Sequence, residues 1–157
     1  GEFTELLASK TKEWAATDFS KQMVDNAAKR LNIETVTYRV EDATALSFDD
    51  NSFDAVIIAN TLHVMPNPAT ALKEIHRVLK DDGLLFAPTF IFDRTSTKTR
   101  VKLLELIGFR VYNKWNEQEL REFVERNHFK IIDQSTILAT PLSESMIIAQ
   151  YKNENIL

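Results

Sequence analysis

The sequence predicts an α/β protein, doubly wound around a mostly parallel sheet with helices on both faces. Three observations carry this. Helical and β patterns alternate along the chain. The stretch from Val40 to Asn60 reads as two apolar strands joined by a polar turn, with Glu41–Asp42 closing the first strand and Asn60 the second. Those polar groups fall at strand C-terminal ends, where open α/β sheets bind small ligands.

The elements follow in order. Thr4 to Lys12 is expected as a short helix with Leu6 and Leu7 buried, and Glu13 to Thr17 as a short strand ending at Asp18. Ser20 is placed to cap a helix over Lys21 to Leu31, whose Met23, Val24, Ala27, Ala28 and Leu31 recur at helical spacing. Thr35 to Val40 alternates and is β-branched, hence a strand. Asp49 to Ser52 is a turn, and Phe53 to Ala59 a second strand. Asn67–Pro68 opens a helix that runs to Lys80, with Leu72, Ile75, Val78 and Leu79 as its stripe. Asp81–Asp82–Gly83 is expected to end it, with Gly83 in a left-handed cap before the strand Leu84 to Phe90. Thr95 to Ile107 reads as a helix stopped by Gly108, and Asn116 as the cap of another with Leu120, Phe123 and Val124 inward. Phe129 to Leu138 and Ser145 to Tyr151 are two closing strands around a turn at Pro141, and Asn153 to Leu157 is a frayed end.

The totals bound the function. A chain of 157 residues reads as one domain, 1–157, large enough for a real core. A net charge of −4 without a basic stripe argues against nucleic acid as partner. The apolar runs are too short to span a bilayer, and a cytoplasmic location is expected. The absence of cysteine excludes disulfides and thiolate metal sites, and three scattered histidines suggest no other metal site. There are only three glycines, Gly1, Gly83 and Gly108, so no glycine-rich turn lies inside the chain.

Five segments in order resemble the class I S-adenosylmethionine-dependent methyltransferases, of the small quinone-biosynthesis-like type. These are Thr17-Asp18-Phe19-Ser20 with Met23; Glu41-Asp42-Ala43 with Leu46 and Phe48; Asn60-Thr61-Leu62-His63-Val64; Leu72 to Lys80; and Asp82-Gly83. The resemblance implies a Rossmann-like sheet with a C-terminal antiparallel strand. It also implies that the family's first, central strand and most of its glycine motif are missing from the N-terminus. Gly1 then matches the last glycine of that motif; Gly1-Glu2-Phe3 equally reads as a vector-derived scar. The missing strand would lie between the strands at Glu13–Thr17 and Phe53–Ala59, leaving two open edges. Three outcomes are then expected: the sheet closes up, another chain fills the gap, or the chain is a core fragment. Self-association as a homodimer is the expectation that follows.

The cofactor implied is S-adenosyl-L-methionine, and the partner a small-molecule methyl acceptor. The implied cofactor-binding residues are Gly1, Asp18, Phe19, Met23, Asp42, Ala43, Asn60 and His63. Asp18 would accept both ribose hydroxyls, or else cap a turn with Ser20. Phe19 and Met23 would wall the adenine, or pack as core. Asp42 would accept from the adenine amino group beside Ala43, with Glu41 facing solvent, and Asn60 would lie under the methionine part. His63 is a weak catalytic candidate, since a neutral imidazole accepts a proton; packing against the cofactor edge is the preferred reading. His76 is expected on a solvated helix face and His128 in an irregular cap, neither catalytic. The basic, hydroxyl-rich run Asp93 to Lys102 and the aromatics Phe90, Phe92, Tyr112 and Trp115 could line an acceptor pocket, or serve as loop and core. The truncated chain could be an inactive fragment. Two rivals stand beside methyl transfer: a non-catalytic methyltransferase-like interaction module and, more distantly, a nicotinamide-dependent dehydrogenase.

Overall fold

A computed structural model describes residues 1–92, 110–139 and 142–151. The expected helix Thr95–Ile107, the run Asp93–Lys102, the turn at Pro141 and the frayed tail lie outside the described residues. The chain divides into two compact units, Gly1–Ser47 and Phe48–Leu157.

The first unit holds α1 (Glu2–Leu7), β1 (Trp14–Asp18), α2 (Lys21–Leu31) and β2 (Val36–Val40). Helix α1 ends in a 3₁₀ turn, Ala8–Lys10, and is shorter than the sequence suggests. Its buried face is Thr4 and Ala8, not Leu6, which is 65% exposed. The i, i+4 pair turns inward because Trp14 Nε1 donates to Thr4 Oγ1 at 3.0 Å, so the buried hydroxyl is satisfied. Helix α2 has the expected bounds. The Ser20 side chain accepts from the Met23 amide, and Asn32 at φ 45° closes the far end in a left-handed conformation. Strands β1 and β2 pair in parallel, Asp18 opposite Val40.

The second unit holds β3 (Phe53–Ile57), α3 (Pro68–Val78), β4 (Leu79–Ile91), α4 (Glu117–Arg126), β5 (Phe129–Ile137) and β6 (Ser143–Tyr151). Its sheet has the order β3-β4-β6-β5. The β3–β4 pair is parallel, while β6 runs antiparallel to both β4 and β5. The mixed α/β architecture is therefore as expected, including antiparallel pairing at the C-terminal end. Strands β1 and β3 each stand at the edge of their own sheet. The stripe of α3 buries Ala71, Leu72, Ile75 and Val78 completely or nearly so. Each large aliphatic side chain of this kind contributes about 1.5–3 kcal/mol. Helix α4 carries a full capping box between Asn116 and Glu119, and its Leu120 and Val124 are fully buried. No helix among the described residues is long and apolar enough to cross a membrane.

Two expectations change here. Helix α3 stops at Val78, and the chain turns at once into β4. The start of β3 forces this: the amides of Asn51 and Ser52 donate to the carbonyls of Arg77 and Val78, and Leu79 pairs with Phe53. Gly83 therefore lies within a strand, not in a left-handed helix cap. The register jumps from Leu79 opposite Phe53 to Leu84 opposite Ala55, so residues 80–83 bulge out of the ladder. Glycine is needed there for space: a Cβ on Gly83 would meet Leu79 Cδ2 and the Lys80 carbonyl oxygen at 2.9 Å. His76 is also not solvated; it is half-buried and stacks on Tyr151 with ring centroids 3.5 Å apart. His128 does sit in an irregular junction, at φ 66°.

Gly83→Ala is expected to destabilise the fold by about 1–3 kcal/mol through overpacking. Gly83→Asn should cost more, whereas a left-handed cap would tolerate Asn. Urea denaturation midpoints of the two variants decide between these geometries.

Candidate active site

The candidate residues fall into two groups, one in each unit. In the first unit the parallel register brings the ends of β1 and β2 level, so Asp18 and the Glu41–Asp42 pair share one end of the sheet. The Glu41 amide donates to the Asp18 carbonyl at 3.1 Å, which ties the two ends together. Asp18 is exposed, and its Oδ1 accepts from the Ser20 amide at 2.8 Å. Each carboxylate oxygen has two acceptor positions, so this bond leaves three open, enough for two further donors. Both readings of Asp18 thus coexist: it organises the Ser20 cap and still presents acceptors outward.

Beside it, Phe19 is 77% and Met23 54% exposed, so neither is core. Single exposed hydrophobics are ordinary; two within five residues of an exposed carboxylate leave apolar surface available near an acceptor. Asp42 is exposed and tightly turned, with Oδ1 accepting from the amide and hydroxyl of Thr44 at 2.8 and 2.7 Å. These bonds, the hydroxyl first, hold its carboxyl below the usual carboxylate range. Ala43 is half-buried within the same turn.

Glu41 does not face solvent. It is 8% exposed, with Ser47 donating to both of its oxygens and Arg39 Nε at 3.3 Å. Burial alone would raise its pKa, but the Ser47 hydroxyl and amide and the Arg39 guanidinium outweigh it and hold the carboxyl ionised. This buried network shapes the turn that presents Asp42. Gly1 is not brought to this group. It caps α1 and packs on Ala27, Arg30 and Leu31, toward the last turn of α2, whereas Asp18 lies at the first.

The second group forms where β3 and β4 end. Asn60 adopts φ 50°, a left-handed conformation that Asn tolerates better than most residues. Its amide donates to the Pro88 carbonyl at 2.8 Å, and its Nδ2 donates to Glu144 Oε1 at 3.1 Å. The turn that follows, Leu62–Val64, buries His63 completely. The His63 ring meets Phe90 edge to face at 5.5 Å and Phe92 at 6.1 Å. Burial pushes the imidazole down to about 4, so it is neutral and weakly basic at physiological pH.

The segment from Val111 to Trp115 holds this turn. The amides of Tyr112 and Asn113 donate to the His63 carbonyl, and Asn113 Nδ2 donates to the carbonyls of Leu62 and Met65. Phe92 joins Val111 and Leu142 in a buried cluster with Phe90 packed against it. Tyr112 remains 48% exposed under the Arg110 guanidinium, and Trp115 stacks on Phe123. Sequence reading missed Glu144 and Asn113. Glu144 is 84 residues from its partner, and the sequence pattern starts the strand only at Ser145, so no local signal finds it.

A family profile described as a methyltransferase domain matches residues 1–87. The demethylmenaquinone methyltransferase of Staphylococcus epidermidis is 32% identical over 126 residues, which is 76% of this chain and 52% of that protein. The chain spans about half the length of the curated relatives it matches. Among solved structures, the 1,6-didemethyltoxoflavin-N1-methyltransferase of Burkholderia thailandensis, with bound 1,6-didemethyltoxoflavin and S-adenosylhomocysteine, superposes with a TM-score of 0.77 at 21% identity. That match covers 98% of this chain and 67% of the other. A SAM-dependent methyltransferase from Methanosarcina mazei superposes with a TM-score of 0.72 at 24% identity, covering 95% and 86%. Both likenesses are of fold.

The buried His63 makes stability pH-dependent. Its folded pKa, about 4, lies below the ordinary 6.5. The unfolded chain therefore binds the extra proton first, and the contribution present above pH 6.5 is lost as pH falls toward 4. The loss amounts to about 3 kcal/mol at pH 4. Denaturation midpoints between pH 7 and 4 should fall more steeply for the wild type than for His63→Leu.

Proposed function

This chain belongs to the methyltransferase domain family, and from that premise we propose that it serves methyl transfer from S-adenosyl-L-methionine to a small-molecule acceptor, working as one domain over 1–157. The observation that supports the reading is the level ending of β1 and β2, which brings Asp18 and the Glu41–Asp42 pair to one end of that sheet, with the exposed Phe19 and Met23 following Asp18 in the chain. That set of acceptors and apolar side chains fits an adenosine. Asp18 is an acceptor-only group for a vicinal diol, Asp42 accepts from an exocyclic amino group beside Ala43, and Phe19 with Met23 offers apolar surface to the base. Asn60 and His63, at the end of β3, are assigned to the methionine part and the reacting centre. Gly1 is assigned to the cofactor by its match to the family's glycine turn alone.

When bound, the cofactor supplies an electrophilic methyl group. The chain's own contribution is to hold the reactants in line, which can supply roughly 7–11 kcal/mol of the barrier. His63 is assigned a packing role: it is neutral, fully buried and enclosed by Phe90 and Phe92. The name of the Staphylococcus epidermidis relative makes a naphthoquinol ring the first acceptor to test. The outer edges of β1 and β3 have no ladder partner among the described residues, which supports a homodimer. A monomer mass by light scattering at micromolar concentration would sink that part. One observation favours a non-catalytic interaction module instead: Gly1 packs at the far end of α2 from Asp18.

Calorimetric titration with S-adenosylhomocysteine separates the readings. The methyltransferase reading expects micromolar binding that weakens more than tenfold, at least about 1.4 kcal/mol, in Asp18→Ala. Binding unaffected by Asp18→Ala refutes the site, and absence of binding favours the interaction module.

A further inference from the structure

We propose that Glu144 is the base that takes the acceptor's proton, with Asn60 as the residue that positions it; this rests on the methyl-transfer reading above. The antiparallel register sets Glu144 directly opposite Phe90. Directly opposed residues point to the same face of a sheet. The Phe90 ring in turn meets His63 at 5.5 Å. Asn60, His63, Phe90 and Glu144 thus converge where β3 and β4 end and β6 begins.

The hydrogen bond from Asn60 Nδ2 occupies Glu144 Oε1 and leaves Oε2 for an incoming donor. Asn60 cannot turn its amide over, because that would set its own oxygen against the carboxylate. The Asn60 Oδ1 is buried without a hydrogen-bond partner among the described residues. A buried acceptor left open is costly, and it is tolerated where the arrangement serves a site. The Glu144 carboxylate is therefore held in one orientation by a residue whose backbone is itself fixed to Pro88.

Methyl transfer to an O–H, N–H or C–H acceptor leaves one proton to be removed. His63 is badly suited to take it, being fully enclosed with an imidazole of low basicity. Glu144 is half-buried and has a route to solvent. For a hydroquinone acceptor, the ring hydroxyl gives its proton to Glu144 Oε2 and its electron pair moves into the ring. The ring carbon bonds the methyl group as the methyl–sulfur bond breaks, and that pair stays on sulfur. The hydrogen left on the ring carbon then moves to the ring oxygen, and Glu144 releases its proton to water. Atoms and charge balance without an oxidant or reductant.

The test uses S-adenosylmethionine with 1,4-naphthohydroquinone, following S-adenosylhomocysteine formation across pH. Glu144→Gln keeps an acceptor for Asn60, so the fold should survive. It is expected to lower kcat about a hundredfold, within the usual range for a general base. It should also abolish the acid-side fall of the pH–rate profile and leave S-adenosylhomocysteine affinity within twofold. Glu144→Asp should recover part of kcat. Wild-type turnover and pH profile in Glu144→Gln would overturn the assignment. A wild-type chain that forms no S-adenosylhomocysteine overturns the methyl-transfer reading, and the role of Glu144 falls with it.

Discussion

The candidate site of the larger unit depends on how the chain leaves β3. A strand that continued straight would carry Asn60 and His63 out of the ladder. Instead Asn60 takes a left-handed conformation, and its amide is caught by the Pro88 carbonyl on the neighbouring strand. Left-handed backbone disfavours an ordinary side chain by roughly 1–2 kcal/mol, less for Asn. The bond to Pro88 and the bond from Nδ2 to Glu144 compensate for it. With that turn in place, His63 is driven inward against Phe90, and its carbonyl faces the amides of Tyr112 and Asn113. The candidate site follows from one backbone reversal, held from three sides.

A similar economy operates in the smaller unit. The carboxylate available to a ligand, Asp42, is exposed, while the one beside it, Glu41, is buried and serves the turn. The difference lies in the partners. Glu41 gathers a hydroxyl, an amide and a guanidinium, enough to overcome desolvation. Among the described residues the Asp42 carboxylate is held by Thr44, on one oxygen. Two adjacent acids of nearly the same chemistry thus take opposite roles, one structural and one outward-facing.

Much of the fold was legible in sequence wherever the signal was local. Ser20 and Asn116 each announced a helix start, because a cap is a contact between residues three apart. The stripe of α3 was visible at helical spacing, and Asp18 and Asp42 were visible at strand ends. The errors came where a distant partner outweighed a local preference. Asp81–Asp82–Gly83 has the composition of a helix stop, yet Ser52 and Phe53 pair with Val78 and Leu79 and draw the chain into a strand earlier. Leu6 seemed a core residue until Trp14 claimed Thr4 on the inward face.

Sequence by itself determined the α/β class, most element boundaries and the outward acids at the ends of β1 and β2, because periodicity, capping and strand-end polarity are short-range properties. Tertiary structure alone decided that Glu41 is buried, that His63 is neutral, that Gly1 packs on the last turn of α2, and that Glu144 meets Asn60 across 84 residues. Those depend on desolvation and on contacts between segments far apart in the chain, and neither is written in the spacing of residues along it.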